Sequence, residues 1–84
     1  LNHRATASFW RRYDVLSPAV RAVADKNFEL LKRDARHPSL HLKRVGRYWS
    51  VRVGQHHRAL GTDVEDGVLW FWIGIHADYD RILR

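Results

Sequence analysis

The sequence predicts an α+β domain: an N-terminal helical hairpin packed on one face of a four-stranded antiparallel sheet, with a short helical turn at the C-terminus. Three observations carry this reading. Apolar residues recur at helical spacing before Pro38 and at two-residue spacing after it. The strand-like runs are joined by short turns, which force antiparallel neighbours. The 84 residues contain no cysteine, so a single domain spanning 1–84 draws its stability from packing. Four tryptophans, three tyrosines and three phenylalanines supply much of the apolar area.

Thr6 or Ser8 is placed to cap a first helix carrying Phe9, Trp10 and Tyr13, with Phe9 and Tyr13 on one face. Ser17-Pro18 starts the second, with serine as N-cap and proline at the first helical position. Val20, Ala24, Phe28, Leu31 and Ala35 then form one apolar stripe, and Pro38 stops the helix near Arg36.

After Pro38, LHLKRV, RYWSVRV, HRALGTDV and VLWFWIGI read as four strands. Alternation sets Trp49, Val51 and Val53 against Tyr48, Ser50 and Arg52. The helices need the first of these faces, which puts Trp49, Val51, Phe28 and Leu31 in the core. The other face gathers Lys43, Tyr48, Arg52 and Arg58. In the last strand Val68, Trp70 and Trp72 alternate with Leu69, Phe71 and Ile73, so both faces are apolar and both need cover.

The net charge of +6 is concentrated. From Ala35 to Thr62 there is no acid, while Arg36, Lys43, Arg44, Arg47, Arg52 and Arg58 fall in that window with four histidines. A one-signed block attracts nucleic acid or an acidic protein partner. Lys43, Arg44, Arg47 and Tyr48 are therefore the candidate nucleic-acid-binding residues. No signal peptide is visible, and no apolar run reaches the ~20 residues of a membrane helix, so a cytoplasmic protein without membrane contact is expected. His56 and His57 are neighbours in a strand and point oppositely, which argues against their sharing a metal.

HPSLHLKRV (37–45), YWSVRVGQHHRALG (48–61) and WFWIGIHADYDRIL (70–83), in this order, make the chain resemble the RelE/ParE family of toxins from bacterial type II toxin–antitoxin modules. The resemblance implies a RelE-like toxin fold and a cognate antitoxin that wraps the toxin surface. In the RelE-like branch it implies a metal-independent endoribonuclease, an mRNA interferase without cofactors. Such a toxin cleaves mRNA, commonly on the ribosome, and so inhibits translation and arrests growth. In that branch Lys43, Arg44, Arg47 and Tyr48 are RNA-binding residues. In the ParE-like branch it implies DNA gyrase as the alternative target, inhibited by binding; a catalytically silent relative that binds nucleic acid or antitoxin is the remaining alternative. By position, Arg58, Arg52 and Lys43 look like the family's basic strand residues. His76 and Tyr79 resemble its terminal acid–base and stacking groups. Two departures stand out: residues 1–5 leave room for only a stub of the usual first strand, and Ser50 stands where a second basic group is expected.

Cleaving RNA without a metal needs a base for the 2′-hydroxyl, cations for the charge building on phosphate, and an acid for the leaving oxygen. Histidine titrates near neutrality and suits proton transfer. Arginine binds phosphate bidentately and stays charged. His76, Arg58, Arg52 and Tyr79 are therefore the candidate catalytic residues. The plain alternatives are a His76 that only caps the final turn and a Tyr79 that only packs in the core.

Overall fold

A computed structural model describes residues 2–83. The elements are β1 (Asn2–Ala5), α1 (Ala7–Asp14), α2 (Pro18–Arg33), a single 3₁₀ turn (Pro38–Leu40), β2 (Lys43–Val45), β3 (Tyr48–Val53), β4 (His57–Val64), β5 (Gly67–Ile75) and α3 (His76–Ile82). The sheet order is β1-β5-β4-β3-β2. β2 to β5 form the expected antiparallel meander, and α1 and α2 form the expected hairpin on one face of it. Among the described residues no helix is long and apolar enough to cross a membrane.

Both helix starts are fixed by side-chain caps. The Thr6 hydroxyl accepts from the Phe9 N–H at 3.1 Å, so Thr6 is the cap of α1. Ser8 instead donates to the Phe71 carbonyl at 3.0 Å, tying α1 to the edge of β5. Ser17 caps α2, with Pro18 in its first turn. α2 ends at Arg33, three residues before the expected stop, because the chain must turn back to bury Leu40, which is 1% exposed. Leu40 therefore lies in the 3₁₀ turn, not in a strand. His41 follows in the left-handed region at φ 46°, and β2 is shortened to three residues.

The sheet has five strands, not four. Asn2–Ala5 pair in parallel with Gly67–Trp70. Asp66 holds this strand from the preceding turn: its carbonyl accepts from the Asn2 N–H, and its carboxylate takes the Asn2 amide and the Arg4 guanidinium, each at 2.7 Å. Gly67 is required here, since a Cβ would fall 1.9 Å from the Asn2 carbonyl oxygen.

The core between the helices and the sheet buries Leu31, Leu40, Val51, Val53, Ala59, Val68, Trp70 and Ile73. Phe28 and Trp49 are partly buried against it. Each fully buried aliphatic or aromatic side chain contributes about 1.5–3 kcal/mol. A second, smaller core lies on the outer face, where Leu60, Trp72 and Tyr79 are buried with Tyr48, Phe71 and Leu83 around them. α3 folds back over β5 to build it. That supplies the second cover demanded by the apolar last strand.

The two tryptophans of β5 face opposite ways, contrary to simple alternation. Trp70 is the partner of Gly61 and Trp72 of Leu60, so two steps on β5 match one on β4. The irregularity at Phe71 sends Trp70 to the helix-side core and Trp72 to the outer one.

The Trp70 indole donates to His3 Nδ1 at 3.2 Å. Burial, with the positive charge of Lys32 adding to it, holds His3 below its ordinary pKa of 6.5. Burial likewise lowers His57, with His56 adding to it. The unfolded chain then binds protons more readily than the folded one. Stability from these groups is complete above pH 6.5 and lost as pH falls through the lower folded values. The thermal midpoint should fall between pH 7.5 and pH 5, and His3→Gln should flatten that slope; a midpoint that stays level for the wild type would refute the linkage.

Candidate nucleic-acid interface

The β3–β4 hairpin determines where the basic residues project. Gly54 at φ 66° closes the turn, and the register makes Arg52 and Arg58 direct cross-strand partners on the outer face. Arg52 Nε donates to the Gly54 carbonyl at 3.0 Å and Arg58 Nη1 to the His57 carbonyl at 2.8 Å. Each guanidinium is thus held by its own backbone and keeps further N–H groups to offer. No carboxylate forms an ion pair with either arginine among the described residues. Like charges directly opposite cost roughly 0.2–1 kcal/mol, and a bound anion would reverse the sign of that effect.

Opposite Arg58 on β5 stands Gly74. A Cβ there would lie 2.6 Å from the Trp72 ring, so glycine lets the indole lie flat beside the arginine row. Trp72 is also approached by Arg12 of α1, 5.7 Å from the ring centroid, which is cation–π range.

His76 is the first residue of α3, two positions beyond Gly74. Its backbone N–H donates to the His56 carbonyl at 2.8 Å, which fixes the strand-to-helix switch beside the hairpin turn. Its ring stacks on Tyr79 with centroids 5.5 Å apart and planes at 27°. Its Nε2 lies 3.6 Å from the Asp80 carboxylate, and the side chain is half exposed. Tyr79 is 6% exposed and packs with Leu60 and Trp72. The backbone-cap and core-packing roles are thus both present, and they leave the His76 imidazole open to solvent. Arg52, Arg58, His76 and Tyr79 come together at one end of the outer face.

Lys43 shares that face, opposite the buried Ser50. Tyr48 is half-buried against Phe71, with ring centroids 5.3 Å apart. Arg47 sits in the β2–β3 turn, about 17 Å along the strand from Arg52 at ~3.3 Å per residue. Arg44 is not on this surface. It pairs with Trp49 on the helix side, its guanidinium 4.1 Å from the indole centroid and 2.7 Å from the Asp63 carboxylate. Among the described residues no group of three or more His, Cys, Asp or Glu is arranged to hold a metal ion.

Gly74 and Asp80 are parts of this surface to which sequence reasoning assigned no site role. Glycine inside an apolar strand was the signal for a close approach. The i, i+4 spacing of His76 and Asp80 on a helix was the signal for their contact.

Residues 18–81 match the family model described as a ParE-like toxin domain, and the chain belongs to that family. Among solved structures it is similar to the toxin of the RelB-RelE antitoxin-toxin complex from Methanococcus jannaschii, with a TM-score of 0.75 at 12% identity, covering 96% of this chain and 99% of that one. The YoeB/ParE toxin from Agrobacterium tumefaciens follows with a TM-score of 0.69 at 16% identity, over 90% and 99% of the two chains. The isolated RelE toxin of E. coli gives a TM-score of 0.64 at 10% identity, over 95% and 93%. No curated protein matches the chain. These likenesses establish the RelE-like fold.

Adding a methyl group at Gly74 should displace Trp72 from beside Arg58. Gly74→Ala is expected to destabilise the fold by about 1–3 kcal/mol, the usual cost of overpacking. Urea unfolding followed by tryptophan fluorescence measures this, and an unchanged midpoint would mean the indole has room to move.

Proposed function

We propose that this chain is the toxin of a type II toxin–antitoxin module, held inactive by a cognate antitoxin, and that it is a metal-independent endoribonuclease of mRNA. The observation that carries the reading is the Arg52–Arg58 cross-strand pair, free of carboxylates among the described ion pairs, with an accessible imidazole at the start of α3, two residues beyond the Gly74 that stands opposite Arg58. The two guanidinium groups take the scissile phosphate and stabilise the charge that grows on it. The 2′-oxygen attacks phosphorus, the bond to the 5′-oxygen breaks, and the ends carry a 2′,3′-cyclic phosphate and a 5′-hydroxyl. His76 takes the 2′-hydroxyl proton and passes it to the departing 5′-oxygen. Its ring stacks on Tyr79, and Asp80 lies 3.6 Å from its Nε2. Lys43 and Tyr48 extend the RNA-binding surface, with Arg47 at its far end.

A second reading, gyrase inhibition by binding, is favoured by one observation: the matching family model carries the ParE-like description. Such binding needs the basic surface but no proton-transfer group.

His76→Ala should lower the rate of RNA cleavage by ~10²–10⁴, the usual worth of an acid–base group. It should leave thermal stability nearly unchanged, because the backbone N–H that bonds His56 survives. Arg58→Ala should weaken RNA binding as well as cleavage. Tyr79→Phe should be mild, since the ring packs and stacks. Cleavage is followed on mRNA with and without ribosomes and with a chelator, with gyrase supercoiling measured in parallel. A folded His76→Ala protein that cleaves at the wild-type rate would end the ribonuclease reading. Inhibition of supercoiling without any RNA cleavage would put the second in its place.

A further inference from the structure

At the end of the sheet remote from His76, and on the opposite face, lies a groove of about 550 Å³. The segment leaving α2 forms one wall and β5, with β1 beside it, the other. We propose that this groove is the docking site for an acidic, aliphatic segment of the protein partner, with a carboxylate as its anchor. The proposal rests on the reading of the chain as a toxin held by another protein, and goes beyond it by naming the surface and the chemistry.

Hydrogen bonding fixes what the groove offers. His3 Nδ1 accepts from the Trp70 indole, so in the neutral ring the proton sits on Nε2. His37 Nδ1 accepts from the Ser39 N–H at 3.2 Å, which fixes the same tautomer. Two of the three lining histidines, His3 and His37, are therefore Nε2–H donors, and Arg36 beside them has no ion-pair partner among the described residues. His41 reaches the same groove from its left-handed backbone position, a conformation that costs about 1 kcal/mol outside glycine.

Asp63 is the one acid in the lining, and its carboxylate is already taken by the Trp49 indole at 2.9 Å and by Arg44. What remains is a set of donors without an acceptor, which fits an incoming carboxylate. Leu42, Val68 and Pro38 line the groove as well and suit an aliphatic neighbour of that carboxylate. A nucleotide fits less well, because one face of Trp49, the one tryptophan in the lining, is covered by the Arg44 guanidinium.

The test is a nuclear magnetic resonance titration of the full chain, following the Trp49 and Trp70 indole N–H signals. The probes are N-acetyl-leucyl-glutamate methylamide, its glutamine counterpart, inorganic phosphate and oligouridylate. The glutamate peptide should move both indole signals saturably, and the glutamine peptide should need at least a tenfold higher concentration. Arg36→Glu should abolish saturation while leaving thermal stability and RNA cleavage unchanged. No movement with the glutamate peptide, or equal movement with glutamine, overturns the proposal. Equal or tighter response to phosphate or oligouridylate overturns it in favour of a nucleic-acid contact. Absence of RNA cleavage by the wild type would count against the ribonuclease reading alone, since the peptide titration does not depend on it.

Discussion

Strand β5 has to serve two cores at once, and its bulge at Phe71 is what makes that geometrically permissible. A regular strand would send Trp70 and Trp72 to the same side, leaving one core overfilled and the other without its largest side chain. The extra residue opposite Leu60 and Gly61 reverses the facing of everything beyond it. Trp70 then closes the space under α1 and α2, and Trp72 closes the space under α3. The position of α3, and with it of His76, follows from this reversal, because Tyr79 anchors the helix by packing on Trp72 and Leu60.

The outer face is built against its own electrostatics. Arg52 and Arg58 are paired across two strands with no carboxylate between them, where a structural protein would set opposite charges. Four cations elsewhere do find carboxylates: Asp66 takes Arg4, Asp63 takes Arg44, Glu29 takes Lys32 and Asp78 takes Arg81. These exposed pairs each add little, at most about 1 kcal/mol. Their distribution is more informative than their strength, since they leave the hairpin end of the outer face uncompensated. Like charges held directly opposite each other across two strands are the pattern of a surface kept for a charged ligand.

Much of this was legible before any coordinates. The Ser17-Pro18 start, the change of period at Pro38 and the faces of β3 follow from local rules, and they hold. The parts that were not legible are non-local. In the polar NHRA segment no periodicity announces a strand, and the family resemblance led only to a stub there. It becomes one by pairing with residues more than sixty positions away, and only Asp66 and Gly67 hint at the partner. Leu40 looked like a strand residue because burial in a 3₁₀ turn and burial in a strand leave the same apolar mark. Arg44 was grouped with the RNA-binding residues by counting charge along the chain. Strand alternation, which sets it on the Trp49 side, is the stronger constraint because a charge count carries no face.

The pairing of Asn2–Ala5 with Gly67–Trp70 also gives the molecule an order of assembly. A chain leaving its ribosome can close the α1–α2 hairpin and fold β2, β3 and β4 early, since those contacts are close in sequence. The first strand must wait for the last, and α3 is made after that. A chain cut before Ile75 would display Arg52 and Arg58 without the His76 imidazole and with Trp72 uncovered. The outer face is therefore complete only once β5 has paired along both of its edges and α3 has closed over Trp72.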